Sequence, residues 1–345
     1  MDVRGPAALE IVQPPMLSIV TTLYRSQQYI ERFYSEACRV ADAVGLSVEI
    51  VFVNDGSPDD SLEVARAIHN RDRRVKLVDL SRNFGHHRAL MTAFACASGE
   101  LVYVTDVDLE EPMDFLRTCH ERFRQGDCDV VYGYQLERRG TWLTRATGEA
   151  FWKVFNFLCN TKLPRNLVTA RLMSRRYVAS LLEHREHDPY IVGLWVSTGY
   201  AQIGLPIDKQ FTGYSTYTTL RRVKLAMNSI VSFSSRPLLL SAGIGIVICL
   251  LASLYVIYLI GQWLVLGNPI EGWTSLIISV WFLGGINLFF IGLVGLYISR
   301  IFAEVKQRPN VIIREVYGDL PLAQGDEPAR TIRPALLGSG RPGAP

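Results

Sequence analysis

The sequence predicts an α/β chain in which a doubly wound sheet domain is followed by a C-terminal hairpin of two transmembrane helices. The sheet is predicted by apolar, strand-like runs that alternate with segments of helical periodicity, the pattern of a sheet with helices on both faces. The hairpin is predicted by residues 238–266 and 274–299, neither of which contains a charged residue. Each stretch exceeds the roughly 20 apolar residues that cross a bilayer core.

Four predicted strands run directly into polar, turn-forming residues. The strands are residues 17–22, 48–53, 75–80 and 101–105, and a further strand is predicted at 129–134. The polar endings are Thr21-Thr22, Asn54-Asp55-Gly56, Ser81-Arg82-Asn83 and Asp106-Val107-Asp108. Because doubly wound sheets bind ligands at the carboxyl ends of their strands, the four endings predict one binding edge.

Asp106 and Asp108 are the residues at this edge that most directly suggest chemistry. Side chains alternate between faces on an extended segment, so the two carboxylates are expected on one side. Together they would offer hard oxygen ligands to Mg²⁺ or Mn²⁺ shared with substrate phosphates. Two aspartates at this spacing, taken alone, also fit a solvated acidic turn. The surrounding motifs therefore decide between a metal site and such a turn. No G-x-G-x-x-G follows the first strand, which disfavours a dinucleotide enzyme.

Basic residues flank the apolar hairpin on both sides. They are Arg221, Arg222, Lys224 and Arg236 before it, and Arg300, Lys306 and Arg308 after it. The connecting residues 267–273 contain no Lys or Arg. The positive-inside rule therefore predicts a multi-pass membrane protein with both termini in the cytoplasm and the short loop outside. The N-terminal residues lack the apolar segment of a signal peptide, so the sheet domain is expected in the cytoplasm.

The predicted domains follow from these boundaries and from composition. They are a flexible leader (1–15), a cytoplasmic sheet domain (16–218), an amphipathic interfacial helix (219–236), the transmembrane hairpin (237–302), a C-terminal strand segment (303–318) and a disordered tail (319–345). For the helix before the hairpin, an ordinary surface helix is the alternative. Residues 309–315 are typical of an edge strand that could pair with a neighbouring copy of the chain.

Five motifs occur in a familiar order. They are residues 53–57 (Val-Asn-Asp-Gly-Ser), 80–85 (Leu-Ser-Arg-Asn-Phe-Gly), 106–109 (Asp-Val-Asp-Leu), 171–175 (Arg-Leu-Met-Ser-Arg) and 229–234 (Ser-Ile-Val-Ser-Phe-Ser) before two spans. In this order the chain resembles the polyprenyl-phosphate glycosyltransferases of glycosyltransferase family 2, over about residues 16–317. That family includes the GtrB-like enzymes and is related to dolichyl-phosphate mannose synthase.

The resemblance implies a GT-A fold and inverting transfer of a sugar from a nucleotide sugar to undecaprenyl phosphate or a similar lipid. It implies catalytic and metal-binding roles for Asp106 and Asp108, with Mg²⁺ or Mn²⁺ as cofactor, and Glu110 stands where relatives usually have Gln, as a further metal ligand. The residues that would contact the nucleotide sugar are Thr22, Tyr24, Asp55 (at the nucleobase), Ser81, Asn83 and Asp106. Relatives form tetramers, so a homo-oligomer is expected, and no nucleic-acid partner is.

One departure from the family concerns the general base. The Gly-Asp-Phe of relatives is Val168-Thr169-Ala170 here, so the carboxylate proposed as a base is absent. A lipid monophosphate, with a second pKa near ~6, is largely dianionic at pH 7 and needs no base to become nucleophilic. It needs positive charge instead, because Arg side chains hold phosphates. The candidates are Arg138, Arg139, Arg171, Arg221 and Arg222, with Arg171 favoured as a catalytic residue because it lies in a matched motif.

Two other functions remain open at this stage. A processive polysaccharide synthase would carry a Gln-x-x-Arg-Trp motif and a channel of several spans, and neither is found. A catalytically silent membrane scaffold or lipid-binding subunit could keep the fold without turnover, although the intact Asp106-Val107-Asp108 argues against it.

Overall fold

The computed structural model describes residues 15–135, 166–209, 236–266 and 272–320. Their contacts divide them into two compact units, which we describe separately. The first contains residues 15–135, 166–209 and 309–320, and the second contains residues 236–266 and 272–308. The predictions for the leader up to residue 14, the interfacial helix up to residue 235 and the tail after residue 320 concern residues outside these ranges.

The first unit is built on a mixed sheet that has eight strands in the part of the chain described. The strands are β1 (Leu17–Leu23), β2 (Val48–Asn54), β3 (Val75–Leu80), β4 (Leu101–Val104), β5 (Val130–Tyr134), β6 (Leu167–Ser174), β7 (Gln202–Pro206) and β8 (Ile313–Tyr317). Their order across the sheet is β7-β5-β6-β4-β1-β2-β3-β8.

Among the described residues, six helices accompany this sheet, and two long helices lie in the second unit. The helices are α1 (Gln27–Val44), α2 (Ser61–Arg71), α3 (His86–Cys96), α4 (Phe115–Phe123), α5 (Arg175–Leu182), α6 (Ile191–Ser197), α7 (Arg236–Leu266) and α8 (Trp273–Val305). In α1, Ile30, Phe33, Ala37 and Val40 are buried at helical spacing. This helix ends at Gly45, whose left-handed φ of 72° suits a residue without a Cβ.

The central strands β3, β2, β1 and β4 run parallel and form the core of the sheet. Ile19 of β1 lies between Ile50 of β2 and Tyr103 of β4, and all three side chains are buried. Parallel pairing brings the carboxyl ends of these strands to one edge, as the sequence predicted. The predicted α/β sheet domain is confirmed.

Strand β6 was not identified from the sequence, and it completes the binding edge. It lies antiparallel between β4 and β5, with Val104 opposite Arg171. Continuing that register by two residues brings Thr169 beside Asp106, just beyond the end of β4. Residues 168–170, the segment that departs from the Gly-Asp-Phe of the resembled family, therefore lie at the candidate site.

Strand β8 pairs antiparallel with β3 of the same chain, with Leu77 opposite Tyr317 and Asp79 opposite Glu315. Strand β8 is the last strand of the described sheet and uses one edge for β3, so pairing of its outer edge with a neighbouring copy stays a prediction. The predicted strand segment is also shorter than expected, since α8 continues to Val305.

Helices α7 and α8 are each long and apolar enough to cross a membrane, over Arg236–Gln262 and Ser279–Val305. Both predicted spans lie within these helices. Large apolar side chains such as Leu250, Leu254 and Phe289 are exposed along them. Two such helices agree with the predicted C-terminal hairpin.

Candidate active site

The two aspartates lie on a turn that follows β4. The Leu109 N–H donates to the Asp106 carbonyl at 3.4 Å, and Leu109 has a φ of 55°. The Glu110 N–H donates to Asp108 Oδ1 at 3.0 Å. The expectation of an extended segment with alternating faces is thus wrong, because the strand ends at Val104 and the chain turns at once.

Two other elements contact Asp106 at this turn, and a third contacts one of these two. Thr169 of β6 donates its hydroxyl to Asp106 Oδ2 at 3.0 Å. His86, the first residue of α3, places Nε2 3.9 Å from Asp106 Oδ1. Its other ring nitrogen, Nδ1, lies 3.0 Å from the hydroxyl of Thr22 in β1. The predicted edge is thus assembled from β1, α3, β4 and β6.

Glu111 joins the acidic turn to β6 through hydrogen bonds. Its side chain is buried, and it accepts hydrogen bonds from the Thr169 N–H at 3.0 Å and the Ala170 N–H at 2.8 Å. The Thr105 hydroxyl donates to it at 3.2 Å. Burial, with the nearby charge of Asp106, raises the pKa of Glu111 to about 7. Glu111 therefore joins the acidic turn to the strand that supplies Thr169.

Glu110 turns to a cation rather than to the two aspartates. Lys209, which follows β7, places Nζ 2.8 Å from Glu110 Oε2. Among the described residues, no group of three or more His, Cys, Asp or Glu side chains is arranged to hold a metal ion. The predicted metal ligand set of Asp106, Asp108 and Glu110 is therefore not preformed, because the ion pair with Lys209 directs the Glu110 carboxylate.

The remaining carboxylates still suit a hard cation. Burial raises the pKa of Asp108, and the negative charges of Asp106 and Glu110 raise it further. A divalent ion would relieve this repulsion, and carboxylate oxygens are the ligands that Mg²⁺ and Mn²⁺ prefer. Asp106 and Asp108 therefore fit the metal that the sequence predicted.

Asp55 holds two loops of the edge together. Its Oδ1 accepts from the Phe84 N–H at 2.7 Å and its Oδ2 from the Gly85 N–H at 3.0 Å. Gly56 has a φ of 58°, and a Cβ there would lie 2.4 Å from the carbonyl carbon of Arg82. The loops that follow β2 and β3 thus pack back to back.

The other predicted nucleotide-sugar residues lie around these loops. Ser81 is half-buried and Asn83 is exposed in the loop that follows β3. Tyr24 is exposed just after β1. Their placement at one edge agrees with the predicted convergence, and their contacts with a donor stay predictions.

Arg171 lies in the interior instead of on a phosphate-accessible surface. Its side chain is only 1 % exposed, lies over the ring of Trp195, and donates to the Val168 carbonyl at 3.3 Å. Burial lowers its pKa to about 9. The catalytic, phosphate-binding role predicted for Arg171 is not supported by this placement, because Trp195 and the backbone enclose the guanidinium. The other predicted phosphate ligands, Arg138, Arg139, Arg221 and Arg222, lie outside the described residues.

Two residues of the site, Glu111 and Lys209, were missed by sequence reasoning. Glu111 belongs to an acidic run, Asp108–Glu111, in which the motif match gave roles to Asp108 and Glu110 but not to Glu111. Lys209 lies about 100 residues from the turn, and nothing local marks it. The adjacent residues His86 and His87 begin α3 and contact different partners. His86 faces Asp106, whereas His87 Nδ1 lies 3.1 Å from the Pro189 carbonyl oxygen.

Comparisons with known proteins extend these observations. The family model described as Glycosyl transferase family 2 matches residues 18–182. A Mycobacterium tuberculosis protein named among the glycosyltransferases is 40% identical over 319 residues, covering 92% of this chain and 93% of the relative. The SfII prophage-derived bactoprenol glucosyl transferase of Shigella flexneri is 33% identical over 308 residues, covering 88% of this chain and 99% of the relative.

The chain is also similar in part to solved structures. Glucosyl-3-phosphoglycerate synthase from Mycobacterium tuberculosis, in complex with uridine diphosphate, has a TM-score of 0.45 and 18% identity. The match covers 63% of this chain and 78% of that one. The sequence relatives confirm the resemblance that the ordered motifs indicated.

Proposed function

Because this chain belongs to glycosyl transferase family 2 and is a glycosyltransferase, we propose that it transfers a sugar from a nucleotide sugar to a polyprenyl phosphate. Undecaprenyl phosphate is the acceptor we expect, and the anomeric configuration is inverted in the transfer. The observation that carries the proposal is the contact of Asp106 with His86 and Thr169 at the carboxyl edge of the sheet, where Thr22 contacts His86 in turn. The apolar helices α7 and α8 and the relatives named bactoprenol glucosyl transferases favour a lipid acceptor.

Asp106 and Asp108 are the residues we assign to the metal, Mg²⁺ or Mn²⁺. When bound, such an ion acts as a Lewis acid on the departing diphosphate. Thr169 fixes one oxygen of Asp106 by its hydrogen bond, which leaves the other oxygen directed toward the His86 side. Glu111 keeps the turn in place against β6.

The acceptor phosphate requires positively charged residues that hold it, and it requires no general base. Thr169 stands where relatives carry a carboxylate, and its hydroxyl already donates to Asp106. A dianionic phosphate needs no proton removed before it attacks the anomeric carbon. Lys209 brings a cation to the edge, and Arg138, Arg139, Arg221 and Arg222 remain our candidates for holding the lipid phosphate.

A transfer assay with the purified full-length protein tests this function. Undecaprenyl phosphate is incubated with single nucleotide sugars, and the lipid product is weighed by mass spectrometry. We expect one donor to give a lipid bearing one sugar, loss of the product with EDTA, and recovery with Mg²⁺ or Mn²⁺. Undecaprenol, which lacks the phosphate, is the matched control and should give none, since a hydroxyl acceptor requires a base.

The assay also separates the rival functions. Lipids or chains that carry many sugars would indicate a processive synthase, and no transfer from any nucleotide sugar would indicate a silent scaffold. Light scattering on the same preparation measures the oligomeric state, for which we propose a tetramer. A monomer would contradict that part of the proposal.

For the membrane topology we propose that both termini are cytoplasmic and that residues 267–273 are external. In a chain with its six cysteines replaced, Asn268→Cys should react with a membrane-impermeant maleimide in intact spheroplasts. Gln307→Cys is the matched control and should react only after the membrane is opened. The reverse pattern would contradict the orientation.

A further inference from the structure

After the two apolar helices, the end of the chain returns to the sheet beside the candidate donor loops. Helix α8 ends at Val305, and β8 begins at Ile313. Only residues 306–312 separate them. Strand β8 then covers the free edge of β3, whose carboxyl end leads into the loop of residues 81–85.

Ser81, the first residue of that loop, is held from two sides by this C-terminal segment. The Ser81 N–H donates to the Ile312 carbonyl at 2.9 Å. The Ser81 carbonyl accepts from Nη2 of Arg314 at 2.7 Å. Both backbone polar groups of a predicted donor-contact residue are thus satisfied by the last strand of the sheet.

The guanidinium of Arg314 is also connected, through Asp79 of β3 and Asn54 at the end of β2, to the loop that follows β2. Its Nη1 lies 3.0 Å from Oδ2 of Asp79, which is 1 % exposed. The other oxygen of Asp79 accepts from Asn54 Nδ2 at 2.8 Å, and Asn54 Oδ1 accepts from the Ser57 N–H at 3.3 Å. Since a guanidinium presents its donors in a rigid fork, one side chain ties together the loops that follow β2 and β3.

We propose that β8, through Arg314, positions the donor-nucleotide loop at Ser81 directly and the loop after Asn54 by way of Asp79, so that the donor site is complete only when the chain returns to the sheet. The proposal rests on the proposed function for the identity of the donor. Arg314 is a positioning residue, since its contacts are to the loops.

A contact at the other end of β8 allows a purely structural role of this strand to be tested separately. There the guanidinium carbon of Arg66, in α2, lies 5.3 Å from the ring centre of Tyr317. This contact holds β8 against the sheet without touching either loop. Arg66→Ala is therefore a matched control for Arg314→Ala, because each removes one arginine contact to the same strand.

The test compares full-length variants by kinetics and by hydrogen exchange. Arg314→Ala should raise KM for the nucleotide sugar about tenfold, the scale of a lost charged hydrogen bond, and leave KM for the lipid and kcat nearly unchanged. Amide exchange in residues 81–85 should become faster, and Arg66→Ala should change none of these values. Arg314→Lys should fall between, because an ammonium cannot bridge both acceptors with the same fork.

The results separate this proposal from the function on which it rests. Equal donor KM and equal exchange in Arg314→Ala and the unaltered protein would overturn it, as would the same rise in Arg66→Ala. If no nucleotide sugar is turned over, exchange in residues 81–85 still decides, since it requires no donor. If Arg314→Ala does not fold, the exchange and KM of Arg314→Lys decide, and unchanged values there overturn the proposal.

Discussion

Replacing Asp108 by alanine is expected to lower kcat/KM for sugar transfer by roughly 10³-fold or more, to the background of the assay. Metal stabilisation of a leaving group contributes several kcal/mol, and each 1.36 kcal/mol corresponds to a factor of ten in rate. Burial raises the pKa of Asp108, and the nearby negative charges of Asp106 and Glu110 raise it further. Removing one carboxylate relieves that repulsion and so takes away the charge that attracts a divalent ion.

A control variant distinguishes this loss from a general effect of removing an aspartate. Asp127 is surface-exposed and pairs with Arg122, so Asp127→Ala should keep activity within about twofold, the range of an exposed ion pair. Membrane insertion of Asp108→Ala should match that of the unaltered protein in a flotation assay. Full transfer activity in Asp108→Ala would exclude the acidic turn as the metal site.

Much of the fold was readable from the sequence because its signals are local. The predicted first strand, residues 17–22, differs from β1 by one residue at its end. The parallel core follows from apolar runs whose polar endings must meet at one edge. Strand β6 was less readable, because Thr169 and Arg171 interrupt its apolar pattern and its partners are about 40 to 70 residues away in sequence.

Side-chain roles depended on contacts that no local pattern encodes. Arg171 lies in a motif, and a sequence cannot distinguish an arginine that binds phosphate from one enclosed by Trp195. The motif match also favoured Glu110 as a ligand, although Lys209 pairs with it in the fold. The position of Asp55 was predicted correctly at the edge, yet its bonds to the Phe84 and Gly85 N–H groups emerged only from the structure.

Glu111 is a residue whose contacts were not predicted from the sequence, and its replacement should have a large effect on stability. Glu111→Ala should destabilise the protein by about 3–5 kcal/mol, because the buried N–H groups of Thr169 and Ala170 lose their acceptor and a cavity replaces the side chain. For a sheet domain of this size that corresponds to a melting temperature lower by about 10 °C. The rate of sugar transfer should also fall at a temperature where the variant is still folded, because the turn that carries Asp106 is no longer hydrogen-bonded to β6.

Glu111→Gln separates the hydrogen bonds from the shape of the side chain. Each carboxylate oxygen accepts a backbone N–H, Oε1 from Thr169 and Oε2 from Ala170. Either orientation of an amide therefore sets its NH₂ group against one N–H donor, and we expect a smaller loss of about 1–3 kcal/mol. Glu121→Ala, on the exposed face of α4, should stay within about 0.5 kcal/mol. Thermal melting of the three purified variants measures the series, and a Gln variant as stable as the unaltered protein would mean that shape alone holds the turn.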